Sequence, residues 1–271
     1  MPRSNSQEGI DMEALNYKAE LIQLENTITD RTLGENPEAV QLLAANLNTL
    51  YGMILSREGL QSDVFPITSP ERAVRFKVSV YSMAAFQFSS SIVDNLLTGR
   101  YSEAAALIRS LVELVAFSEY FMLSPKVAYS AVRDISSLPT RTVVFRKLAK
   151  EGHWPVGGPK KAFERYNQSA HAHIAFVLQH SAVAEDGPPS VSRIWLRRFN
   201  QDSFHRLACD TLLPLFGMQE IFRLVFFDHS SQSHSEQWVP YWRVGHNRSV
   251  IARVFPSIVI GPIEPLAEDT A

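Results

Sequence analysis

The chain reads as an all-α protein, a helical bundle of about seven or eight helices followed by an irregular C-terminal extension with room for one short strand pair. Three observations predict this. A small capping residue precedes proline at Asn36-Pro37, Ser69-Pro70 and Ser124-Pro125. That is the arrangement of a helix start, where the amide that proline lacks has no intrahelical partner to lose. Leu43, Leu47, Leu50, Tyr51 and Ile54 recur at three- and four-residue steps, which places them on one helical face. The stretch from Ser102 to Leu123 is apolar nearly all the way round, the mark of a helix at the centre of a core.

Taken in order, Leu15, Ala19 and Ile22 support a weakly amphipathic first helix over 11–30, and the second begins at Pro37. The third runs from Pro70 to about Thr98, where Gly99 is suited to end it. Ser102 is expected to cap the fourth, which stops before Pro125. Shorter helices are predicted over 125–137 and 140–150, then a loop at His153–Gly158, then a helix from Pro159 to about Ser181. Glu185-Asp186-Gly187-Pro188-Pro189-Ser190 is the clearest linker. It divides a helical core over 1–185 from 186–271, which is expected to pack on that core as one compact unit. A further helix is predicted over 202–228, kinked or split near Pro214 and Gly217. Beyond it Pro240, Pro256, Pro262 and Pro265 break the pattern, leaving room for a short strand within Val250–Ile260.

Composition narrows the class. With 271 residues, 45% hydrophobic and 20% charged, the chain resembles a soluble globular protein and is long enough to build a core without disulfides. One cysteine, Cys209, permits no internal disulfide and fits a reducing cytoplasm. Met1–Asp11 lacks the apolar centre of a secretory signal, and no apolar run reaches membrane-spanning length. A net charge of −2 argues against general coating of nucleic acid. The charge is uneven, however: Arg141, Arg146, Lys147, Lys150, Lys160, Lys161 and Arg165 face only Glu151 and Glu164 over 141–165. This stretch reads either as a solvated helix surface or as a basic face for phosphates.

Two groups of residues could carry chemistry. Arg109 and Glu113 lie four apart inside the apolar fourth helix, so they share a face and can pair. A charge there is costly unless its hydrogen bonds are filled, which fits a structural pair or a pair that orients other polar groups. In the predicted helix from Pro159, Arg165 can grip a phosphate and His171 can exchange a proton near neutral pH. Asn167 is four residues from His171, and Ser169 is four from His173, so each pair can hydrogen-bond. On an ideal helix Arg165 and His171 stand about 120° apart, so convergence needs reach, distortion or a second subunit. A surface or core histidine is the plainer reading of His171. His171 and His173 point to different sides and no His-Glu-x-x-His occurs, so no metal site and no cofactor is expected. Cys209 reads as a small core residue.

The segment Gly99-Arg100-Tyr101, Glu103-Ala104, Arg109 and Glu113, with Ser169 and His171 or His173 further on, resembles an uncharacterised bacterial all-helical family over roughly 80–180. In that family a Gly-Arg-Tyr helix packs against a helix with a Ser/His motif. Arg165 and His171, with five residues between, also resemble the Arg-x4–6-His mark of the HEPN superfamily of helical ribonucleases and toxins, many of them antiphage. That resemblance implies metal-independent RNA cleavage in a groove shared by a homodimer, with His171 as acid/base and Arg165 steadying the phosphorane. The chain departs from the pattern at Tyr166, where a small polar residue is usual. Two functions follow as expectations. One is a HEPN-like endoribonuclease with RNA drawn along Arg146, Lys147, Lys150, Lys160 and Lys161. The other is a non-catalytic helical module that binds a partner protein or small ligand.

Overall fold

A computed structural model describes residues 5–55, 65–151, 182–183, 194–195, 199–227 and 252–255. Its helices are α1 (Asn5–Glu35), α2 (Pro37–Leu55), α3 (Pro70–Leu97), α4 (Tyr101–Leu123), α5 (Pro125–Arg133), α6 (Arg141–Lys150) and α7 (Gln201–Phe226). A short 3-10 turn, Ile135–Ser137, joins α5 to α6. The predicted all-α bundle is therefore what forms. Two-residue strands, β1 (Ala182–Val183) and β2 (Ile194–Trp195), pair antiparallel, with Ala182 opposite Trp195.

Helices α3, α4 and α7 make the centre, with α2 against α3 and α7, α5 against α3, and α6 against α4. Leu96, Ile108, Leu111, Phe121, Phe204, Leu212 and Phe222 are fully or almost fully buried there. Each such side chain contributes roughly 1.5–3 kcal/mol on leaving water. Close approach of α4 to α7 depends on Gly217, where a Cβ would stand 3.1 Å from Val115 Cγ1. The helix is not split near Pro214 and Gly217: α7 continues through Pro214 as a single helix. Burial on several sides holds together a helix that proline would otherwise interrupt.

The α3–α4 turn follows from local chemistry. Gly99 has φ 72°, its N–H donates to Leu96 O at 3.3 Å, and Arg100 N–H donates to Asn95 O at 2.7 Å. This paired closure satisfies carbonyls at the helix end and needs a left-handed residue, which glycine supplies without steric cost. Gly99→Ala is expected to cost about 1–2 kcal/mol, read as a lower urea midpoint with an unchanged slope; an unchanged midpoint would refute the argument.

Several boundaries differ from expectation. α1 starts at Asn5 and runs to Glu35, leaving the single residue Asn36 before α2. Ser102 does not cap α4: the helix starts at Tyr101, and Ser102 Oγ donates to Glu103 Oε2 at 2.7 Å. The glycine turn delivers the chain directly into α4, so no separate cap is required. The helix predicted over 125–137 ends at Arg133, because Asp134 Oδ1 accepts from Ser136 N–H at 2.9 Å and starts the 3-10 turn. Residues 252–254 are helical where a strand was expected within 250–260. The helix predicted over 159–181 and the division at 185/186 lie outside the described residues.

Candidate functional site

Most of the Gly-Arg-Tyr segment serves the fold. Tyr101 is fully buried, and its hydroxyl accepts from Asn200 N–H at 3.1 Å, tying the start of α4 to the cap of α7. Arg100 reaches Glu25 of α1 through Nε at 2.9 Å and Nη2 at 2.6 Å. Ala104 and Ala105 are buried, which lets neighbouring helices come close. Arg109 and Glu113 are the members of that segment left to carry chemistry.

Both are half-buried on one ridge of α4. Glu113 makes an ion pair with Arg141 of α6, Nε to Oε1 3.3 Å, a partner that helical spacing does not reveal. Across from it on α3 stands Tyr81, whose phenol is pushed up by burial and then by the Glu113 charge. Tyr81 and Phe121 rings lie 6.1 Å apart, and Lys77 Nζ sits 5.8 Å from the Phe121 centroid. Burial pushes the Lys77 ammonium below the usual lysine range. The result is a half-buried polar face on α3 and α4, flanked by α6. Glu113 is half-buried there and its partner Arg141 is exposed, so the pair lies where the α4–α6 edge meets solvent. Tyr81 carried no signal in the sequence, because α3 alone does not disclose what it faces.

The basic residues divide. Lys147 turns inward, donating to Ser124 Oγ at 2.6 Å, lying 3.6 Å from Glu151 and 5.6 Å from the Tyr120 centroid. Arg146 and Lys150, one turn apart on α6, are exposed. Lys160, Lys161, Arg165, Asn167, Ser169, His171 and His173 lie outside the described residues.

Three other titratable groups are buried or partly so. Burial pushes the Cys209 thiol up to about 12, with Asp210 adding to it, so it is no nucleophile at neutral pH. Burial raises the Glu119 carboxyl to about 7. His205 was missed by sequence reasoning; it lies beside Phe204, Leu207 and Ala208 on the buried side of α7, and that flanking is the signal that could have found it. Among the described residues, no group of three or more His, Cys, Asp and Glu could hold a metal ion, and no helix is long and apolar enough to cross a membrane. In comparisons with family models, curated proteins and solved structures, the chain matches none.

Proposed function

We propose that this chain is a HEPN-like, metal-independent endoribonuclease of bacterial defence, acting as a cytoplasmic homodimer on RNA. The observation that carries the reading is Arg165 and His171, five residues between, in a chain whose described part is an all-α bundle. The exposed edge of Arg146 and Lys150 adds to it, since phosphate neutralisation supplies much of RNA affinity. So does Arg141 at the start of the same helix, exposed and held by Glu113 of α4.

In the proposed reaction His171 takes the proton of an RNA 2′-hydroxyl, whose oxygen forms a bond to the adjacent phosphorus. The bond from phosphorus to the 5′-oxygen breaks, and that oxygen leaves with a proton from a second acid, His171 of the other copy. The products are a 2′,3′-cyclic phosphate and a 5′-hydroxyl. Arg165 offsets the charge that grows on the phosphorane oxygens. Asn167 orients His171, and Ser169 and His173 pair with each other in support.

Cleavage of single-stranded RNA by the purified protein in excess EDTA tests this. Wild type is expected to cut, and Arg165→Ala and His171→Ala each to lose roughly a hundredfold or more of the rate. Absent cleavage, or equal cleavage by all three proteins, overturns the reading in favour of a helical module that binds a partner protein or small ligand.

A further inference from the structure

His205 stands where three parts of the chain meet. Its Nε2–H donates to Oδ1 of Asn36, the single residue between α1 and α2, at 2.6 Å. Phe255, just past the helical residues 252–254, lies edge-to-face on the imidazole at 5.4 Å and 77°. Phe204 borders the ring at 5.9 Å. His205 is 8% exposed, Asn36 5% and Phe255 0%.

The neutral ring suits this place. With the Nε2 proton given to Asn36, Nδ1 carries none. A second proton would put a full charge into a nearly dry site bordered by two phenyl rings. Among the described residues, the charged groups nearest these contacts along the elements packed around it are these. On α7 they are Asp202 and Arg206; at the end of α1, Glu35 is held by Arg31 at 2.6 Å; on α2, Glu38 stands 3.8 Å from Arg253 of the C-terminal turn. Burial depresses the His205 pKa below the usual histidine value of 6.5, and the Asp202 carboxylate offsets part of this.

Anchorage decides which neighbour gives way. α2 is fixed by Leu43, Leu50 and Met53, and α7 by Phe204, Leu212 and Phe222. The described C-terminal turn contributes Phe255, the partly buried Val254, and the exposed Arg253–Glu38 pair, which is worth little in water. We propose that His205 is a pH-controlled latch: neutral, it seats Phe255 and holds the C-terminal turn on the α1–α2 elbow; protonated, it releases the turn while the bundle stays folded. Because the histidine of the docked state is harder to protonate than a free one, docking is complete above pH 6.5 and is lost as pH falls through the lower value of the docked state.

Hydrogen exchange of the full chain, followed by mass spectrometry at about pH 8 and about pH 5 and corrected for intrinsic rates, tests the latch. The peptide carrying residues 252–255 is expected to lose roughly tenfold or more of its protection at the lower pH, while α3 and α4 peptides keep theirs. His205→Gln, which keeps a donor for Asn36 but cannot titrate, is expected to remove the pH dependence. Should that variant not fold, proton NMR of the wild-type imidazole gives a second reading, with Phe255→Ala expected to move the His205 titration up towards 6.5. Equal protection at both pH values, loss that extends to α3 and α4, a pH effect persisting in His205→Gln, or an imidazole titration unmoved by Phe255→Ala overturns the proposal.

Discussion

Replacing Phe121 by alanine is expected to lower stability by about 3–5 kcal/mol, the range for removing a large buried aromatic. Phe121 is fully buried on α4 and meets Tyr81, Phe117 and Tyr120 with ring centroids 6.1, 6.2 and 6.0 Å away. The loss therefore combines transfer of the ring to water, an unfilled cavity, and aromatic contacts worth roughly 0.5–1.5 kcal/mol each. Lys77 would also lose the ring face beneath its ammonium, so α3 and α4 loosen where Tyr81 and Glu113 stand opposite. Phe121→Leu keeps most of the volume and is expected to cost less than about 1.5 kcal/mol. Urea unfolding of both variants checks this; equal midpoints for the two would show that packing around the ring does not hold the hairpin.

Glu119→Gln is expected to stabilise the protein at alkaline pH and to do nothing in acid. Burial raises this carboxyl from 4.5 to about 7. A group whose folded pKa lies above its unfolded value holds its proton better when folded, so stability falls as pH rises between those two values. Above 7 the folded chain carries a poorly solvated carboxylate. For a fully shielded group the displacement corresponds to ~3 kcal/mol; Glu119 is half-buried, and solvent reduces the gain to about 1–2 kcal/mol. Glutamine resembles the protonated acid, so the two proteins should unfold alike near about pH 4 and diverge by about pH 8. Curves that run parallel across that range would remove burial of the carboxylate as a pH-dependent cost.

The two titrations act in opposite directions. Glu119 withdraws stability as pH rises above 4.5, whereas His205 withdraws it as pH falls below 6.5. Neither effect could be read from the chain. In the sequence Glu119 is simply a charge in an apolar helix, and His205 is one of eight histidines. What sets both values is how many neighbouring helices exclude water from them.

Much of the helix pattern was legible because its causes are local. Ser69 caps α3 as expected, its Oγ accepting from Arg72 N–H at 3.3 Å, and Gly99 ends α3 through its own backbone freedom. The other two expected caps show where locality stops. Asn36 Oδ1 accepts from His205, 169 residues away in sequence, and Ser124 Oγ accepts from Lys147 on α6. Both residues still mark helix starts, yet their side chains are engaged by partners that another helix brings. The described part of the candidate site behaves likewise: spacing put Arg109 and Glu113 on one ridge, but Arg141 as partner and Tyr81 opposite are products of packing.

By itself, then, the sequence determined the all-α class, the order of the helices within the described residues, and part of the buried face of α2 at Leu43, Leu50 and Ile54, whereas Ala19 and Ile22 of α1 and Tyr51 of α2 are exposed. Capping, left-handed glycine and a 3.6-residue period act within a turn or two of chain. Only the tertiary structure decided which polar groups meet. A helical period states which way a side chain faces but not what another helix places before it. In a core with little water, that neighbour sets the partner and the proton affinity of every buried charge.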